Sequence, residues 1–70
     1  MSRPTPSDLP ALRAFLQAHA ALIAEANRQK ALESDVDMLL AYCSVIDQLQ
    51  EAFDRLTRQI SRLERAAVAA

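Results

Sequence analysis

No glycine occurs in this chain of 70 residues, and its three prolines, Pro4, Pro6 and Pro10, all fall within the first ten. Glycine reaches positive φ at no steric cost. Without it, tight φ > 0 hairpins, phosphate-cradling loops, dinucleotide-binding turns and nucleophile elbows are closed to the sequence. Alanine and leucine make up 24 of the 36 hydrophobic residues, against three Ile, three Val, two Phe and one Tyr. Both are strong helix formers, and the residues that favour strands are scarce. The chain therefore reads as all-α, and its length allows one small domain.

Eight basic residues against nine acidic, net −1, create no global field that would draw in nucleic acid or an anionic membrane. A single cysteine, Cys43, excludes an internal disulfide framework and fits a reducing compartment. The segment from Met1 to Ser7 lacks the apolar core of a signal peptide, and no stretch reaches the ~18 uninterrupted apolar residues of a membrane span. A cytoplasmic protein with no membrane partner is expected.

Residues 1–7 form a flexible, proline-containing leader, and 8–70 a helical hairpin. Two start signals overlap at the junction: Thr5 as N-cap with Pro6 behind it, or Ser7 as N-cap with Pro10 in the first turn. Ser7 is preferred, because it places Pro10 where no hydrogen-bonded N–H is needed. Helix 1, about 8–31, then carries Leu9, Leu12, Phe15, Leu16, His19, Leu22, Ile23 and Ala26 on one face, with Arg13, Gln17, Glu25 and Arg28 mostly outward. The pattern fades into a turn at about 32–34. Ser34, followed by two aspartates in the next three positions, marks a second cap and a second helix over about 35–68.

Helix 2 has the most regular pattern. With Leu39 at heptad position a, the a series is Leu39, Ile46, Phe53, Ile60 and Ala67; the d series is Tyr42, Leu49, Leu56, Leu63 and Ala70. This is a coiled-coil-like seam. Continuing the heptad of helix 1 would put an a position at Asp37 rather than Leu39. That two-residue slip coincides with the Ser34-Asp35 cap and favours a turn over one bent rod.

In an antiparallel hairpin folded near Glu33, residue i lies beside roughly 67 − i, by simple folding of the chain about its turn. Ile23 then faces the region of Cys43, Leu16 that of Leu49 and Gln50, and Leu9 that of Leu56 and Thr57. Helix 1 ends there, so Ile60, Leu63 and Ala67 overhang it, without cover unless the leader folds back. A core of two helices supplies only ~3–5 kcal/mol. A second hairpin, completing a four-helix bundle, would cover the overhang and the flanking Phe15, Leu22, Val36, Leu40, Cys43 and Val45. The interface residues expected are Leu39, Tyr42, Ile46, Leu49, Phe53, Leu56, Ile60, Leu63, Phe15 and Leu22. The partner is the chain itself or another helical protein.

Little in the chain suggests catalysis, a cofactor, a metal or a small-molecule substrate. His19, the only histidine, lies opposite Ile46 and Asp47; a His19–Asp47 pair would make assembly pH-sensitive, whereas a single hydrogen bond would leave it a packing residue. One histidine and one cysteine on separate helices do not make a zinc site. Cys43 reads as a small core residue, and Tyr42 as a ring in the seam with its hydroxyl toward the edge.

Arg55, Arg58, Arg62 and Arg65 form a stripe away from the seam. It would suit phosphates or an acidic partner, or be a solvated face with Glu51–Arg55 and Asp54–Arg58 as helical ion pairs. Asp47, Glu51 and Asp54 lie just upstream, so helix 2 runs acidic to basic along its outer face, which could orient two copies. Leu12, Arg13 and Arg28 are superficially similar to the first helix of small helical chorismate mutases, but Ala20 stands where an acidic residue belongs and no third helix follows. In architecture alone the chain resembles Rop-type and secretion-chaperone hairpins, a likeness that carries no function. The sequence thus leads to a non-enzymatic helical protein acting by self-association or docking, as scaffold or adaptor. A small chaperone or inhibitor and a dimeric nucleic-acid-associated regulator are the alternatives.

Overall fold

A computed structural model describes residues 3–69, and shows a 3₁₀ turn at Pro6–Asp8, helix α1 at Leu9–Leu32 and helix α2 at Val36–Ala69. Met1 and Ser2 of the leader, and Ala70, the last d position, lie outside the described residues. The two helices pack side by side as a hairpin, and no strand occurs among the described residues. The long dimension of 52 Å is the length of α2, since 34 residues at about 1.5 Å each span about that distance.

Thr5, not Ser7, caps the start of the helical region, which corrects the preference for Ser7 as N-cap. Thr5 is extended and caps the 3₁₀ turn, with its N–H donating to Asp8 Oδ2 (2.8 Å) and its carbonyl accepting from the Asp8 N–H (2.9 Å). Pro6 takes the first position, where its fixed φ suits the turn. Pro10 falls in the first turn of α1, where the missing N–H would have had no partner. The Ser7 hydroxyl bonds only to the Thr5 hydroxyl (2.6 Å).

The chain reverses at residues 33–35 with no residue at positive φ among those described. Carboxylates take the place of glycine. Glu33 is extended (φ −88°, ψ 137°), and its Oε1 accepts the N–H groups of Ser34 (3.1 Å) and Asp35 (3.0 Å). Asp35, not Ser34, caps α2: its Oδ1 accepts the Met38 N–H (3.1 Å) and its carbonyl the Leu39 N–H (2.9 Å). The N–H groups of Ser34, Asp35 and Met38 thus find side-chain acceptors within three residues, the last of them in the manner of an Asx-type cap.

Burial follows the heptads. On α2, Leu39, Tyr42, Ile46, Leu49, Phe53, Leu56 and Leu63 are half-buried, and on α1 so are Leu12, Leu16, His19, Ile23 and Ala26. Only Leu9 (8% exposed) and Ile60 (5%) are fully buried among the described residues.

Ile60 was expected in the overhang, and it is instead the most enclosed side chain. The leader folds back: Arg3 and Pro4 border a depression shared with Gln59, Arg62 and Leu63, and the 3₁₀ turn packs on α2. An extended leader advances about 3.3 Å per residue against 1.5 Å for a helix, so a few residues reach past the end of α1. The uncovered end of α2 is reduced to residues beyond Leu63, where Ala67 and Val68 are exposed.

Arg13 is exposed, as expected, yet it also reaches across to α2. Its guanidinium reaches Glu64 on α2 at 3.9 Å, far beyond the position that simple folding about Glu33 would pair with it. Side chains lean toward the N-terminus of their own helix, so Arg13 leans away from the turn while Glu64 leans back toward it. Both are about half exposed, so the pair marks register more than it adds stability.

The turn generates a direct test. Asp35→Ala should lower stability by about 1 kcal/mol through loss of the cap. Glu33→Ala should also destabilise, whereas Glu33→Gln, which keeps an acceptor oxygen, should retain most of the stability. Denaturant melts of the three variants decide it, and equal midpoints for all would show that the carboxylates do not hold the turn.

Candidate functional site

Apolar side chains that the hairpin does not cover are the most extensive feature of its surface. Phe15 (64% exposed) and Leu22 (54%) stand one heptad apart on α1, beside the seam rather than in it. On α2, Met38 and Val45 flank the seam, while Leu32, Val36 and Leu40 lie exposed around the turn. Of the flanking residues named from sequence, Cys43 is half-buried and a free thiol; Phe15, Leu22, Val36, Leu40 and Val45 are exposed. The eight α2 residues named for the interface divide differently: seven are half-buried and Ile60 is enclosed, so the seam is used first within the chain.

His19 and Asp47 are not brought together. The His19 ring is half-buried, and Nδ1 donates to the Phe15 carbonyl one turn back (3.0 Å). Phe15 lies against it, ring centroids 6.3 Å apart and tilted by 38°. Asp47 is exposed, with no hydrogen bond or ion pair from its side chain among the described residues. A backbone carbonyl on the same helix offers His19 a partner at no cost in register, and a carboxylate on α2 does not compete.

Arg58, Arg62 and Arg65 line a shallow depression with Thr57 and Ser61 on the outer face of α2; Arg55 is exposed on the same helix, outside it. Among the described residues none of the four has a carboxylate within ion-pair distance, so neither Glu51–Arg55 nor Asp54–Arg58 forms. Asp54 instead accepts from Gln50 Nε2 (3.2 Å). The folded leader places Arg3 beside Arg62 across the neighbouring depression. Sequence reasoning missed this fifth arginine, because nothing local to Arg3 says which part of α2 it will meet.

The best-formed ion pair lies elsewhere. Arg28 holds Glu25 through two bonds, Nε to Oε2 (3.0 Å) and a terminal nitrogen to Oε1 (2.7 Å), and Gln29 adds a third to Oε1 (2.9 Å). The Arg28 hydrogen bonds, then that of Gln29, hold the Glu25 carboxyl below its ordinary value, and Glu25 in turn raises Arg28. A depressed carboxylate contributes above the ordinary carboxylate range, and its contribution disappears as pH falls through the lowered value.

Among the described residues no three His, Cys, Asp or Glu side chains gather as metal ligands do, and no helix is long and apolar enough to cross a membrane. Comparisons with protein-family models, curated proteins and solved structures give no match.

Arg28→Ala should let the Glu25 carboxyl titrate closer to its ordinary value. Carboxyl-resolved NMR titration of both forms reads the shift, and an unchanged Glu25 midpoint would show that the pair does not persist in solution.

Proposed function

We propose that this protein is a non-enzymatic helical interaction module, acting by self-association or by docking its apolar flank onto a partner, as a scaffold element or small adaptor. One observation carries the reading: two side chains are fully buried among the described residues, while Phe15, Leu22, Val36, Leu40 and Val45 lie on the surface. A hairpin with one line of contact is marginal by itself, and association both covers that surface and stabilises the fold. A chaperone or inhibitor role would use the same flank in the helix-in-groove manner.

Self-association predicts a sedimenting mass that is a multiple of 7.7 kDa at micromolar concentration. It also predicts a melting temperature that rises with protein concentration. A folded monomer whose melting is independent of concentration would remove self-association and leave docking to a different protein.

A second reading follows from the convergence of Arg3 with Arg62, beside Arg58 and Arg65. Free guanidinium groups gathered at one end of α2 suit phosphates or an acidic partner. Under this reading, low-salt mobility shifts of nucleic acid appear and vanish in Arg58→Glu/Arg62→Glu. No shift with the unaltered chain at low salt would eliminate it.

A further inference from the structure

We propose that a second copy of the chain covers the outer face of α1, the two α1 helices crossing antiparallel about a two-fold axis at Ala18. This rests on the self-association reading and names its interface. From Ala14 to Ala24 helix α1 carries no charged residue on any face, and only Gln17 and His19 are polar. A helix apolar all round belongs inside an assembly. The hairpin covers only one side of it, the side of Leu12, Leu16, His19 and Ile23. Helix α2 differs: it exposes Val36, Met38, Leu40 and Val45 near the turn, but beyond them Asp47, Glu51, Asp54 and the arginines keep its outer face in water.

The uncovered face consists of Ala11, Ala14, Phe15, Ala18, Ala21 and Leu22, every one exposed. Its spacing is self-complementary, as a two-fold interface requires. With Ala18 against Ala18 of the second copy, Phe15 meets Ala21 and Ala14 meets Leu22, so each large side chain lies over a small one. The alanines allow the close approach of about 8 Å between axes. In the same register Arg28, already held by Glu25, comes opposite Asp8 of the second copy, twice by symmetry, so the apolar patch ends in charged groups on both sides. Any parallel pairing would set like residues side by side, Phe15 on Phe15 and Arg28 on Arg28.

Surface area agrees with this occupant. A compact monomer of 7.7 kDa exposes about 4,300 Å². This chain exposes 5390 Å². The excess, roughly 1,000 Å², is close to the ~800 Å² that each partner buries in a standard interface.

Disulfide capture combined with sedimentation tests the proposal. In a Cys43→Ser background, Ala18→Cys should oxidise to a covalent dimer, because the two positions meet on the axis within disulfide reach, whereas Ala41→Cys on the outer face of α2 should stay reduced. Leu22→Glu, at an already exposed position, should keep its helical circular dichroism and weaken the dimer by at least about 100-fold. Ser44→Glu, on the outer face of α2, should leave it unchanged. If the unaltered chain is a dimer but Ala18→Cys stays reduced and Leu22→Glu keeps its mass, the α1 interface is wrong and self-association stands. A folded monomer would overturn both.

Discussion

Chain reversal at residues 33–35 is the constraint on which everything else rests, because without it α1 and α2 would have no line of contact. Many helices end on a residue at positive φ, and among the described residues here none does. Glu33 and Asp35 solve the problem with side chains, accepting the N–H groups that the reversal strands. The solution is local in sequence and needs no backbone strain. It also ends α1 and starts α2 within three residues, so the two helices enter their seam with little slack.

That seam holds the hairpin but does not finish it. Each helix presents one stripe to the other, and most seam residues are left half-buried because no third element closes over them. Enclosure is reached only at Ile60 and Leu9, where the leader and the 3₁₀ turn supply that third element. The two helices then differ in what they leave outside. Helix α2 leaves Val36, Met38, Leu40 and Val45 exposed near the turn and charges beyond it, whereas α1 exposes an uncharged middle stretch with Phe15 and Leu22.

Much of the architecture was legible in the residues. The heptads of α2 run from Leu39 to Leu63 with no break, and the burial pattern follows them. The two-residue slip between the heptads of the helices located the turn, although its capping residue is Asp35 rather than Ser34. Less visible were the features that depend on distant segments meeting. Ile60 reads as an overhang because no local pattern shows the leader returning to the end of α2. The α1 flank was legible too: Phe15 and Leu22 fall beside the seam by spacing, and both are exposed.

Two helices, their seam and a glycine-free corner were determined by the sequence alone, because propensity, heptad spacing and side-chain capping act within a few residues of each position. Tertiary structure alone decided that the leader covers Ile60, that Arg13 reaches Glu64 and that Arg3 joins Arg62. Those outcomes depend on how far the leader and the side chains of one helix project along the other, and on the lean of side chains in an antiparallel pair. No local pattern encodes such distances, so they exist only once the chain has folded back on itself.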